Sequence, residues 1–135
     1  MIGNGDLRGP ADAVRRAAES GVSGLMMGRA ALASPWIFRE MRAALDGRPV
    51  PPSPDVEFRW RTLVRLAELT HERAVGHLGT RDVRWMVAKL HPLTQGLPAC
   101  RQVRAALQGC RTLDELRRLA DEQIARWHDS QVSDN

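Results

Sequence analysis

The sequence predicts the closing part of a parallel α/β domain followed by a small all-helical bundle. Three observations predict it. Residues 1–45 alternate short apolar runs with helical patterns, in the order strand end, helix, strand, helix. Residues 55–135 carry only the 3.6-residue period of amphipathic helices. Between them, four of the nine residues 46–54 are proline, which cannot continue a helix and favours extended backbone, so this stretch reads as a linker.

In the first segment, residues 1–3 read as the last residues of a strand. Gly9-Pro10 opens a helix with proline at the first helical position, where its missing N–H costs little. Ala13, Val14, Ala17 and Ala18 form the predicted apolar stripe, and Gly21 supplies the C-terminal stop. Residues 22–27 form an apolar run that reads as a buried strand. Gly28-Arg29 turns the chain into a short helix at 30–33. Ser34-Pro35, as N-cap and first helical residue, opens a helix through about Leu45, with Trp36 and Phe38 packing it. Two strands cannot close a sheet, and parallel sheets are covered on both faces. Residues 1–45 therefore read as the tail of a larger unit.

The second segment predicts four helices with short connections, an arrangement that favours an antiparallel bundle. The first runs from Asp55 to about Val75 on a stripe at 56, 60, 63, 67, 70 and 74, broken by 76–79. The second spans 80–90, with Val83, Met86, Val87 and Leu90 inward, and His91-Pro92 ends it. The third spans 98–108 and stops at Gly109. The fourth opens on the capping box Thr112-Leu113-Asp114-Glu115, with Leu113, Leu116, Ala120, Ile124 and Trp127 inward. Residues 55–128 form this domain, and 129–135 read as a disordered tail.

The net charge is +4, and Lys89 is the only lysine. Arginine suits phosphate because its planar fork donates two parallel hydrogen bonds, although arginine bias also follows from a GC-rich coding sequence. Each segment carries a net charge of +2, so a basic patch has to arise from folding. No apolar run approaches the roughly 20 residues that cross a bilayer, and the N-terminus lacks the pattern of a signal peptide, which predicts a cytoplasmic chain without membrane contact. Cys100 and Cys110 form neither a disulfide framework nor a zinc pattern and read as reduced structural thiols. His71, His77, His91 and His128 show no metal spacing.

Two glycine-containing turns at strand ends carry most of the chemical signal: Gly3-Asn4-Gly5-Asp6 and Gly28-Arg29-Ala30. In a β/α barrel such turns lie at the C-terminal face, where the last two loops and an extra helix commonly bind a phosphate. Glycine admits the backbone N–H groups to the anion, and Arg29 adds a charged fork. Either turn alone is equally an ordinary tight turn.

The run IGNGDLRGPADAVRRAAESGVSGLMMGRAALASPWIFREM resembles the closing segment of the tRNA-dihydrouridine synthase family. The NG…GRA pair is shared with other FMN barrels, whereas GRAALASPWIFRE is more particular to the synthases. The likeness is tight over residues 2–42 and loose afterwards. It implies the last two β/α units of an FMN-binding TIM barrel, a proline-containing linker, and a helical tRNA-binding domain. By position, Asn4, Gly5 and Asp6 match the first flavin-phosphate turn, and Gly28 and Arg29 the second. The stretch 80–85 falls where many members carry a basic Arg-Lys-His-type run; here Arg81 keeps a cation and Asp82 adds an acid. Arg84, Lys89, Arg101 and Arg104 are further candidates for RNA phosphate, with a solvated helix face as the alternative for each. Trp60 and Trp85 read as bundle core in preference to base-stacking platforms.

The family reduces the uracil C5=C6 bond of tRNA with hydride from FMN, itself reduced by NADPH, and a cysteine of an earlier barrel loop donates the proton. No catalytic residue is assigned in this chain. Cys100 and Cys110 lie in the helical segment and match no such position, so the resemblance implies a partial synthase, inactive alone and monomeric when intact, whose partners are tRNA and the missing barrel portion. Two alternatives stand beside it: a self-sufficient RNA-binding helical module, and the terminal segment of another FMN-barrel oxidoreductase.

Overall fold

A computed structural model describes residues 1–4, 7–78 and 82–133, without the side chains of residues 4 and 75–78. The chain divides into two compact units, Met1–Pro54 and Asp55–Asn135.

The first unit is built on two parallel strands, β1 (Ile2–Asn4) and β2 (Gly24–Met26), in the register Ile2 to Gly24, Gly3 to Leu25 and Asn4 to Met26. Helix α1 (Pro10–Ser20) makes the crossover between them. It starts with proline at its first position and ends on Gly21, whose φ of 59° lies in the left-handed region and whose N–H reaches the Ala17 carbonyl at 3.1 Å. A short helix α2 (Arg29–Ala33) and then α3 (Ile37–Leu45) follow β2. α3 packs on α1, and Leu7, Ala13, Ile37 and Met41 form the core, flanked by Leu25 and Met27.

Four expectations for this unit are corrected. The buried strand read over 22–27 is only β2, whose Gly24 and Leu25 are half-buried and whose Met26 is exposed. The stripe on α1 is narrower than expected: Ala13 is buried and Ala17 half-buried, whereas Val14 and Ala18 face solvent. α3 begins at Ile37, because residues 34–36 form a turn in which Ile37 N–H donates to the Ser34 carbonyl at 2.9 Å; the Ser34 side chain makes no cap. Trp36 packs against the unit as expected, but Phe38 is 56% exposed. Ile2, Met26 and Leu32 are also exposed. A two-stranded parallel sheet with this much apolar surface is covered on too few sides to resemble a finished α/β domain.

The second unit is helical: α4 (Val56–Leu78), α5 (Arg84–Leu90), a 3-10 turn (His91–Thr94), α6 (Cys100–Gly109) and α7 (Leu113–Ser133). Asp55 caps α4 by accepting the Phe58 N–H at 2.7 Å. The inward stripe of α4 holds: Trp60, Leu63, Ala67 and Ala74 are buried, with Val56 and Thr70 half-buried. Val83, Met86, Val87 and Leu90 join them, with Leu107 from α6 and Leu116, Ala120 and Ile124 from α7. α4 and α7 run antiparallel, since Glu57 meets His128 at 3.0 Å while Glu68 meets Arg117 at 2.8 Å.

The capping box forms as read. Thr112 Oγ1 accepts the Glu115 N–H at 3.2 Å, and Glu115 Oε2 accepts the N–H groups of Thr112 at 3.3 Å and Arg111 at 2.7 Å. The Arg111 carbonyl in turn accepts the Val83 N–H at 2.9 Å, so this box also anchors the start of α5.

The boundaries of the second unit depart from expectation at five points. α6 begins at Cys100 and not 98, and it includes Gly109. α4 continues through Gly76 to Leu78. α5 starts at Arg84, not 80, because the Asp82 side chain captures the Arg84 N–H at 2.9 Å and sets the helix entry there. His91 keeps helical dihedrals (φ −52°, ψ −42°) despite the following proline, and the chain tightens into the 3-10 turn instead of leaving helical geometry. α7 runs on through Asp129–Ser133, where a disordered tail was expected.

Candidate functional site

The first candidate region is the pair of strand ends in the Met1–Pro54 unit. Parallel pairing places Asn4 directly beside Met26, so both strands end on the same edge of the sheet. Adjacent strands lie about 4.8 Å apart, so Asn4 and Met26 are close neighbours at this edge. Gly5 and Asp6 lie outside the described residues. After β2, Gly28 is exposed, with φ −111° and ψ −107°, and its carbonyl accepts the Ala31 N–H at 3.0 Å as α2 begins. A Cβ added at Gly28 would meet nothing within 4 Å, so the space in front of this turn is open. Arg29, exposed, opens α2. Asn4 and Gly28 thus stand near the same edge of the sheet, with Arg29 following Gly28 at the start of α2.

The second region is the set of cations in the Asp55–Asn135 unit. Arg81 lies outside the described residues. Arg84 is engaged by Asp82, whose Oδ2 accepts from Nε at 2.8 Å. That hydrogen bond, with a second from the Arg84 backbone N–H, holds the Asp82 carboxyl below its ordinary value, and the same pairing raises the guanidinium. Arg104 is half-buried and donates from Nε to the hydroxyl of buried Thr94 at 2.9 Å, which commits one of its five donors to the fold. Arg101 is exposed on α6, and Lys89 is exposed on α5 with its ammonium 5.0 Å from the centre of the Trp85 ring. The four described candidates are thus not equivalent: Arg84 is paired with Asp82 and Arg104 is tied to Thr94.

Trp60 is core, as the sequence suggests. Trp85 is only half-buried: one part packs on the core while another lines a surface groove with Lys89 and Arg73. Arg73 was not singled out from the sequence. Its signal was there, since Leu66, Leu69, Thr70 and Arg73 follow an i, i+3, i+4, i+7 spacing along a side of α4 that borders the core stripe at Thr70. Cys110 is buried, which raises its thiol pKa, and both cysteines are free thiols. Among the described residues no group of three or more His, Cys, Asp or Glu is placed to hold a metal ion, and no helix is long and apolar enough to cross a membrane.

Comparison with known proteins bears on both regions at once. The model of the dihydrouridine synthase (Dus) family matches residues 1–128, which takes in both strand ends and the helical unit. The chain is 38% identical over 124 residues to a Mycobacterium leprae protein named "Probable tRNA-dihydrouridine synthase", covering 86% of this chain and 29% of the relative. It is 34% identical over 122 residues to the Mycobacterium tuberculosis protein of the same name, covering 90% and 30%. It is 40% identical over 99 residues to tRNA-dihydrouridine synthase B of Escherichia coli, covering 70% and 31%. The chain therefore spans about three-tenths of the length of these relatives. Across its two units, the chain belongs to the dihydrouridine synthase family.

Proposed function

We propose that this chain is the C-terminal portion of a cytoplasmic tRNA-dihydrouridine synthase, contributing the closing edge of an FMN-binding TIM barrel and a helical unit that grips tRNA. The observation that carries the reading is the unbroken family match over residues 1–128, which joins a parallel strand pair to a helical bundle in one chain. The same match favours a synthase over the terminal segment of another FMN barrel. The relatives' printed names supply the substrate class, tRNA.

In this reading the backbone turns at Asn4, Gly5 and Asp6 and at Gly28 hold the flavin phosphate, with Arg29 as its charged partner. When bound and reduced by NADPH, FMN would supply the hydride for reduction of a uracil C5=C6 bond, with the accompanying proton coming from a barrel residue outside this chain. The chain's own residues orient the cofactor's phosphate and bind the tRNA backbone through Lys89 and Arg101, with Arg81, Arg84 and Arg104 alongside. Arg84 keeps its pairing with Asp82 through Nε, so phosphate would meet only its remaining donors. Two strands supply too little of the eight-stranded barrel to enclose a flavin or position a uracil, so the chain alone is inactive. The exposed apolar residues Ile2, Met26, Leu32 and Phe38 support this, since they are where further barrel units would pack.

The test is one titration on the purified chain: binding to bulk tRNA at low and moderate salt, with flavin absorbance read on the same sample. The reading predicts salt-sensitive tRNA binding and no stoichiometric flavin. Bound flavin at one per chain would overturn the claim of an incomplete barrel. Absence of tRNA binding would overturn the role given to the helical unit.

A further inference from the structure

Among the grooves that α4 lines, two differ in their electrostatics. The groove against α7, about 380 Å³, is lined by Arg61, Arg65, Glu68, Arg117 and Asp121 among others. Its cations are answered from within the fold. Arg61 meets Glu57 at 2.7 Å, and Arg117 meets both Glu68 and Asp114 at 2.8 Å. The hydrogen bond from Arg117 holds the Glu68 carboxyl below its ordinary value. A ligand phosphate there would have to displace carboxylates already in place.

The groove against α5, about 530 Å³, is lined by Leu66, Leu69, Thr70, Arg73, Trp85 and Lys89, with Ala74 beneath. Among the described residues no carboxylate lines it. Among the described residues neither Arg73 nor Lys89 forms an ion pair with an acid. Leu66 and Leu69 remain 38% and 40% exposed along its wall. Lys89 sits over the Trp85 ring, so a cation and an aromatic surface are held together. Two unanswered cations beside an aromatic ring and an apolar wall match the chemistry that binds single-stranded nucleic acid, in which a base lies on the ring and phosphates meet the cations.

We propose that the α4–α5 groove receives an unpaired nucleobase of the bound RNA, stacked against Trp85, with the flanking phosphates on Arg73 and Lys89. This rests on the reading of the helical unit as RNA-binding and deepens it by naming the recognised element, an unstacked nucleotide and not a duplex surface. The absence of carboxylates from the groove favours a polyanion over a protein segment as occupant. It also gives Trp85 a second role beside its part in the core.

The experiment measures binding of the full chain to a uridine oligonucleotide and to a blunt RNA duplex across a salt series, with thermal melts to verify folding. The wild-type chain is expected to prefer the single strand. Arg73→Gln and Lys89→Gln should each reduce the slope of log affinity against log salt by about 0.7, the value of one single-strand phosphate contact. Trp85→Leu should weaken binding by between about fivefold and about 150-fold at unchanged slope, as loss of a base stack predicts, while Trp85→Phe retains most of the affinity. Arg61→Gln, in the other groove, should change neither. If the wild type binds single strands and the Trp85, Arg73 and Lys89 variants bind alike, the groove assignment is wrong, a protein partner becomes its better occupant, and the RNA reading stands. An equal loss from Arg61→Gln would also overturn the assignment. If the wild type binds no RNA, both readings fall.

Discussion

Leu116→Ala tests whether α7 is seated as described. Leu116 is fully buried, at 0% exposure, in the cluster shared by α4, α5, α6 and α7. The substitution removes three carbons, worth about 2.4 kcal/mol at roughly 0.8 kcal/mol per buried methylene. The cavity left behind adds to this, so the expected cost is about 2.5–5 kcal/mol. A unit of this size (Asp55–Asn135) has a typical stability of about 4–12 kcal/mol, so the variant sits close to the unfolding threshold. Urea unfolding followed by far-ultraviolet circular dichroism and by tryptophan fluorescence reports the change, since Trp60 is buried in the same cluster. The midpoint should fall with little change in slope. In a thermal melt the drop should be at least about 10 °C, at about 4–8 °C per kcal/mol. Leu69→Ala, on the outer side of α4, is the control and should cost less than about 1 kcal/mol. A Leu116→Ala cost below about 1 kcal/mol, or equal costs for the two variants, would refute the placement of α7 on the core.

Three further predictions concern the backbone and charge of the same unit. Thr112→Ala removes the cap of α7 and should cost about 0.5–2 kcal/mol in chemical denaturation, with a cost near zero arguing against the box that also anchors Val83. Ala99 adopts φ 49° just before α6, so Ala99→Gly should stabilise by up to about 1 kcal/mol; Gly96→Ala should destabilise, because φ is 82° there and a Cβ would stand 2.8 Å from an Arg59 guanidinium nitrogen, and the two melts should move in opposite directions. The carboxyls of Glu57, Glu68, Asp82 and Glu115 are held below their ordinary values by hydrogen bonds from Arg61, Arg117, Arg84 and the Arg111 backbone respectively. Depressed folded values mean that their stabilisation is complete above the ordinary range of 3.8–4.5 and is lost as pH falls through the folded values, so a pH series of melts should be level near neutrality and decline below about pH 4.5. A decline centred near pH 6.5 would instead implicate histidine.

What the sequence made legible follows from strong local signals. Proline at the start of α1, glycine at its end and the Thr112–Glu115 box are each local hydrogen-bonding or steric devices, and each is found where its residues stand. The six-position stripe of α4 is long enough for its period to be unmistakable. What was not legible depended on partners distant in sequence or on competition between local signals. The start of α5 depends on whether Asp82 turns back to the Arg84 N–H, which the helical spacing of Val83 and Met86 does not reveal. The extension of α4 across Gly76 reflects the modest helical penalty of glycine, about 1 kcal/mol, within a helix of 23 residues. The exposure of Val14 and Phe38 reflects faces that this chain does not cover. Arginine content gave a list of candidate RNA contacts. Only the fold distinguishes Arg84, held by Asp82, and Arg104, tied to Thr94, from Arg73 and Lys89, and Arg73 was absent from that list.

The measurement that tests the central claim most directly is the salt dependence of tRNA binding by the intact chain. With Arg73, Lys89 and Arg101 each meeting one phosphate at about 0.7 per contact, the slope of log affinity against log salt should be about −2 or steeper. Affinity should then fall by about twentyfold or more between 50 and 200 mM salt, with no flavin absorbance in the sample. Binding that does not vary with salt, or a chain that carries flavin and ignores tRNA, would contradict the account.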